Sequence, residues 1–387
     1  MITRRQQLTV LAAAALLAVG TARAEDTVKI GLILPMTGQQ ASTGREVEAG
    51  VKLWMARHGD KAGGKKVEVI VKDDATVPAT TRRLAQELVV NDKVAVIAGF
   101  GITPSAMAAA PIATQSKTPM VVMAAATSAI TEASPFIVRT SFTLPQASVS
   151  IAEWATKNGI KRVDTLVSDY GPGNDAEKFF VDRFKLNGGK VIESLRTPLR
   201  SPDFAPVLQK VRDDKPDALF VFLPSGQGAQ FMKQFAERGL DKAGIKLIAT
   251  GDVTDDDQLQ EMGPVALGVV TAHHYSVAHP SEQNKKFVAA FEKANKFRPN
   301  FMAVGGYDGM RVIYNALNAT HGATGEKLLD AMKGQTFESP RGPVFIDAQT
   351  RDIVQDIYIR KVEKQGDQYY NVEFETLKSV KDPGKVK

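Results

Sequence analysis

The chain has 387 residues, no cysteine, and a formal net charge of +6 from 49 basic and 43 acidic residues. Without cysteine there are no disulfides, thiolate metal sites, cysteine nucleophiles or lipid-modified cysteine anchor. The basic residues are scattered among acids rather than gathered in a stripe, which opposes a nucleic-acid surface, and the length suits two cores better than one.

Residues 1–24 read as a signal peptide. Arg4 and Arg5 give a charged start, and Leu8 to Gly20 form an apolar stretch shorter than the ~20 residues of a spanning helix. Ala22-Arg23-Ala24 is a cleavage site, so the mature chain is expected to start at Glu25, and loss of Arg4, Arg5 and Arg23 leaves +3. Thr3-Arg4-Arg5 hints at twin-arginine export, but Gln7 stands where that signal prefers an apolar residue, which favours Sec. An exported chain with no cysteine tether is expected in a periplasm, with no direct membrane anchor.

From residue 28 onward, short apolar runs rich in β-branched residues alternate with helical patterns. The predicted strands are 28–34, 67–71, 94–98, 120–123, 163–167, 218–223, 246–249, 269–272 and 357–362. Val47, Val51, Trp54 and Met55 recur at helical spacing, as do Phe231, Phe235 and Ala236. Such alternation predicts an α/β protein with parallel sheets covered by helices on both faces. The halves 27–142 and 143–273 read as similar units. Ligands in such sheets bind beyond the carboxyl ends of the strands, so the loops that follow the strands carry the functional signal.

After 94–98 comes Gly99-Phe100-Gly101-Ile102-Thr103-Pro104-Ser105, leading into an alanine-rich helix. Glycines let the backbone approach a ligand, Thr103 or Ser105 can cap the helix, and free amides at a helix N-terminus favour an anion. Pro104 occupies the third glycine position of a dinucleotide fingerprint, and a tight turn with a helix cap is the structural alternative. After 120–123, Ala124 to Ala126 are small and Thr127 adds a hydroxyl. After 163–167, Tyr170 in Asp169-Tyr170-Gly171-Pro172-Gly173-Asn174 can close over a ligand or simply sit in a surface turn. After 246–249, Asp252 is a carboxylate early enough in its loop to reach a cleft and accept from an ammonium or hydroxyl. Asp255 to Asp257 read as an acidic helix start, without the spacing of a calcium loop.

No G-x-S-x-G, H-E-x-x-H or P-loop occurs, so no enzyme, metal or cofactor chemistry is expected. His273 and His274 are adjacent in a predicted strand and are expected on opposite faces. Asp73 and Asp74 read as structural residues that end a strand and cap a loop.

In order and spacing these segments resemble the branched-chain amino acid class of periplasmic substrate-binding proteins, the type I bilobed receptors of ABC importers. The resemblance covers about 27–377. It rests on Ile30-Gly31 through Gly44, Lys72-Asp73-Asp74, Ala124 to Thr127, Asp169-Tyr170-Gly171 and Gly342-Pro343-Val344. It implies two Rossmann-like lobes joined by a three-crossing hinge, with 25–142 plus 274–352 as lobe 1 and 143–273 plus 353–387 as lobe 2. It also implies a small carboxylate ligand held by lobe closure and delivered to an inner-membrane permease.

By position, Gly101, Ile102 and Thr103 with Ala125 and Thr127 would hold the carboxylate through amides and hydroxyls. Thr43, Phe100 and Phe301 would form walls, and Tyr170 and Asp252 would come from the second lobe. Gly101 to Pro104 departs from the hydroxyl-rich run of amino acid binders, and Pro224-Ser225 stands where they often carry an aromatic residue. With Gly251-Asp252-Val253, the set looks more like members that carry aromatic acids of benzoate, hydroxybenzoate or phenylpropanoid type. Asp252 would then accept from a ring hydroxyl. The alternatives are a branched-chain or other hydrophobic amino acid, with Asp252 on its ammonium, and a ligand-sensing receptor module.

Overall fold

The computed structural model describes residues 26–385; the expected signal peptide and its cleavage site lie outside them. Strands β1 (Thr27–Leu34), β2 (Lys61–Ala62), β3 (Lys65–Asp73), β4 (Val96–Gly99), β5 (Met120–Val122) and β6 (Ile137–Arg139) pair in the order β2-β3-β1-β4-β5-β6. From β3 to β6 every pairing is parallel, and β2 adds an antiparallel edge. β1 is almost wholly buried because helices cover both sheet faces. That is why it reads as a continuous apolar run rather than an alternating one.

The second sheet contains β7 (Arg162–Ser168), β8 (Lys190–Thr197), β9 (Ala218–Phe222), β10 (Lys246–Thr250), β11 (Val270–His273), β12 (Thr336–Ser339), β13 (Gly342–Ile346), β14 (Ile353–Gln365) and β15 (Gln368–Val380). Its order is β12-β13-β14-β11-β10-β9-β7-β8, with β15 also on β14. β7 to β11 pair in parallel, and β14 enters antiparallel beside β11. The molecule is thus two helix-flanked, mostly parallel sheets, the fold of a type I periplasmic binding protein.

One expectation is corrected here. The resemblance implies that 274–352 belong to lobe 1, yet β12 and β13 lie in the second sheet. Val344, Phe345 and Ile346 pair with Gln355, Val354 and Ile353, so this hairpin is carried by β14 rather than by the helices that precede it.

Helix Phe301–Ala319 returns the chain to the first sheet by lying against helix Ala41–His58. A Cβ on Gly306 would stand 2.4 Å from the Val47 carbonyl oxygen, and one on Gly50 2.0 Å from that of Ala303. Only glycine on both faces permits this approach. The chain therefore passes between the sheets three times: after β6, after β11 and before β12.

Two fully buried arginines fasten these crossings. Arg139 pairs with Asp352 at 2.7 Å. Arg341 pairs with Asp308 at 2.8 Å and donates to the carbonyls of Thr140 and Ser141. Buried pairs of this kind add specificity of arrangement more than net stability. Among the described residues no helix is long and apolar enough to cross a membrane.

Candidate functional site

The loop after β4 is built around an unusual backbone. Phe100 has φ +67°, in the left-handed region. Its N–H donates to Ile33 at 2.8 Å, and its carbonyl accepts from the Ala125 N–H at 3.0 Å. The bend leads into helix Thr103–Ser116, whose first turn has no side-chain cap. Its first-turn N–H groups, which Pro104 lacks, are thus without a side-chain cap and carry partial positive charge.

Asp74 anchors the helix start, accepting from the hydroxyls of Ser105 at 2.8 Å and Thr81 at 2.7 Å. Asp73 holds the loop after β1 through the Met36 N–H at 2.9 Å and the Thr37 hydroxyl at 2.6 Å. Both acids are structural, as their place at a strand end suggested. Thr103 and Thr127 join through their hydroxyls at 2.8 Å, and Arg139 donates to the Thr127 carbonyl at 2.8 Å.

These loops meet those of the second lobe around a cavity with about 360 Å³ of empty space, of which about 30 Å³ admits the centre of a water molecule. From the first lobe it is lined by Thr43, Gly101, Ile102, Thr103 and Ala125, and from the second by Tyr170 and Asp252. Phe142 and Leu144 at the first crossing, Met302, and Phe222 at the end of β9 complete the apolar wall. The Tyr170 and Phe222 rings lie within 20° of parallel, with centroids 6.2 Å apart. The two rings are stacked, and both line the cavity.

Three expected residues sit elsewhere. The Phe100 ring is fully buried in the core rather than against the cavity. Thr127 supports Thr103 from behind, and Phe301 packs on Phe142 and His273 while its neighbour Met302 reaches the cavity. Ala125 lines the cavity but brings no donor, because its N–H is spent on Phe100.

Asp252 lies in the turn Gly251–Thr254 after β10, 4% exposed, and its Oδ2 has no hydrogen-bond partner. The nearest cation-capable group is His273, with Nε2 at 3.7 Å, beyond hydrogen-bond length. Burial takes the His273 imidazole down to about 4 against the opposing pull of Asp252, so the ring is neutral at neutral pH. Gly251 is required here: a Cβ would meet Arg360 Nη2 at 2.3 Å and the His273 ring at 2.4 Å.

The expectation that His273 and His274 point apart fails. β11 ends at His273, strand alternation stops there, and the two rings lie 4.4 Å apart, both against Phe142. Among the described residues no group of histidines and acids is arranged to hold a metal.

Asp255 to Asp257 do not start a helix: they lie in the turn before the short helix Leu259–Met262. Asp255 and Asp256 are buried, and Asp256 accepts from the Val277 N–H at 3.1 Å and from Asn371 at 2.9 Å. Asp257 spans the cleft. It accepts from the Ser42 hydroxyl at 2.6 Å and Asn300 Nδ2 at 3.1 Å, with Arg45 at 3.6 Å. Glu46, wholly buried, faces it, and burial together with the Asp257 charge holds the Glu46 carboxyl well above its usual range. The two lobes are in contact along this line.

With this site between two such lobes, residues 27–367 match the family model described as periplasmic binding protein. The chain belongs to that family. Among solved periplasmic binding proteins it is similar to a solute binding protein of an ABC transporter from Rhodopseudomonas palustris BisB5, in complex with 3,4-dihydroxybenzoic acid. The two are 63% identical with a TM-score of 0.93, covering 94% of this chain and 100% of that one. A second R. palustris solute binding protein, in complex with 4-hydroxybenzoate, is 44% identical with a TM-score of 0.91, covering 93% and 100%. Leu/Ile/Val-binding protein homolog 6 of Brucella abortus (strain 2308) is 47% identical over 365 residues, 93% of this chain and 94% of that protein.

Several cavity residues of this periplasmic binding protein give no sequence signal. Phe222 ends an apolar strand and reads as core, Phe142 lies at a crossing, and Gln40 precedes a helix as any polar residue might be placed there. Only the meeting of two lobes makes them lining.

Proposed function

We propose that this chain is the periplasmic solute-binding component of an ABC importer and captures a small aromatic carboxylate of benzoate or hydroxybenzoate type. One observation carries the reading: a cavity lined in part by the stacked Tyr170 and Phe222 rings takes anion-favouring donors from one lobe and a lone acceptor from the other. The uncapped start of helix Thr103–Ser116 and the Thr103 hydroxyl suit a carboxylate. The unpartnered Oδ2 of Asp252 suits a ring hydroxyl. A hydroxylated benzoate satisfies both groups at once only when the lobes are together, and so shifts the population towards the closed state.

The aromatic acids bound by the R. palustris relatives support this reading. In this reading the first lobe comprises 26–139 with 282–332 and the second 140–281 with 333–385, a division that sheet membership supports. The exported mature protein would deliver its ligand to an inner-membrane permease. The name of the Brucella relative favours a second reading, an aliphatic amino acid whose ammonium meets Asp252.

Replacing Asp252 by alanine tests the first. Hydroxybenzoates should bind about 10- to 100-fold more weakly, the scale of a hydrogen bond to a charged group, while benzoate changes little. Equal losses across the series would remove Asp252 from hydroxyl recognition.

A further inference from the structure

Beside the inner cavity lies a second one, far roomier. About 430 Å³ of it admits the centre of a water molecule, against about 30 Å³ in the inner cavity. Its rim includes the exposed residues Val77, Arg200 and Ser201, so it opens to solvent. Gln40 and Ile102 line both cavities. Gln40 is 4% exposed and Ile102 6%, so both are packed between the two spaces.

The two residues are held differently. Ile102 is fixed through its backbone, its carbonyl accepting from the Ala106 N–H at 3.1 Å at the start of helix Thr103–Ser116. Gln40 precedes helix Ala41–His58 without capping it through its side chain. Its Nε2 is buried with no partner in the protein. The side chain thus makes no helix cap, and its amide nitrogen has no partner. It stands as a divider beside Gly101, Ile102 and Thr103, where the carboxylate is proposed to sit.

We propose that Gln40 is a specificity-determining residue. With Ile102 it closes the carboxylate end of the inner cavity, so that acids whose carboxylate is bonded directly to the ring are accepted and arylpropanoic and arylpropenoic acids are excluded. The inference rests on the aromatic-acid reading above and narrows it. A longer acid would have to send its chain through the position of the Gln40 side chain. Past that point its carboxylate would enter the outer cavity, where Arg200 supplies a cation.

Two variants separate bulk from hydrogen bonding. Gln40→Ser removes the divider while placing a favourable cap before the helix, which protects folding. Gln40→Met keeps the bulk and removes the amide. Refolded, ligand-stripped protein is titrated calorimetrically with benzoate, 4-hydroxybenzoate, 3-phenylpropanoate and 4-hydroxycinnamate.

The expected result is a ratio of long-acid to short-acid affinity that rises about tenfold or more in Gln40→Ser, the scale of a change in pocket length. In Gln40→Met the ratio stays near the wild-type value. The proposal is overturned if wild type already binds both lengths alike, or if a folded Gln40→Ser protein keeps the wild-type ratio. It is also overturned if Gln40→Met shifts the ratio as far as serine does, since the amide and not the bulk would then discriminate. If wild type binds leucine and no aromatic acid, the functional reading fails. The divider proposal, which rests on that reading, falls with it.

Discussion

Asp257 should govern affinity without touching ligand. It does not line the inner cavity, and its carboxylate is 3% exposed in the lobe contact. The Ser42 hydroxyl at 2.6 Å and Asn300 Nδ2 at 3.1 Å both donate to it across the cleft. Hydrogen bonds to a charged group contribute about 1.5–3 kcal/mol each. Against this, Asp257 loses solvent on closure and faces Glu46, while the Arg45 partner is 54% exposed and adds little. A net of about 2 kcal/mol in favour of the closed state is a fair balance, or roughly a 30-fold change in a dissociation constant.

Asp257→Ala should therefore weaken every ligand by a similar factor, because the loss falls on the open–closed equilibrium and not on any ligand contact. Calorimetric titration of wild type and variant with benzoate, 4-hydroxybenzoate and leucine reads it directly. A loss confined to one ligand, or no loss at all, would refute the reasoning.

Two further outcomes concern stability. Glu46 is held above its ordinary 4.5 by burial and Asp257, so the stability linked to it is full below that value and declines as pH rises through its folded value. Glu46→Gln, which keeps an acceptor for the Asn300 N–H, should raise the thermal midpoint at pH 8. The gain should vanish below pH 4.5; a gain independent of pH would contradict this. Gly306→Ala would push a methyl to 2.4 Å from the Val47 carbonyl. Overpacking of this kind costs about 1–3 kcal/mol, which in a chain of this length thermal denaturation would show as a drop of about 1–4 degrees. An unchanged midpoint would mean that helix Phe301–Ala319 shifts freely.

Much of this architecture is written locally. Apolar runs such as those of β1 and β9 are buried on both faces and announce a parallel sheet. The loops that follow them follow from strand polarity, which is how Thr43, Gly101, Ile102, Thr103, Tyr170 and Asp252 come into view together. What is not legible depends on distant pairing. β8 and β15 are edge strands with many exposed polar positions, so they lack an apolar run. The hairpin β12–β13 takes its lobe from β14, not from its own residues.

The site shows the same division. Phe100 looks like a wall from its loop, but its left-handed backbone accompanies a ring buried in the core. His273 and His274 gather because the strand ends at His273, so the alternation that would separate them does not reach His274. Asp257 and Gln40 acquire their roles only where two lobes meet, and no local pattern encodes that meeting.

The central claim is that an aromatic carboxylate bridges the lobes. Its most direct test is calorimetric titration of refolded, ligand-stripped protein with 4-hydroxybenzoate and with leucine in one buffer. The account predicts saturable one-to-one binding of 4-hydroxybenzoate and none of leucine. Tight leucine binding with a silent 4-hydroxybenzoate titration would contradict it and give Asp252 to an ammonium.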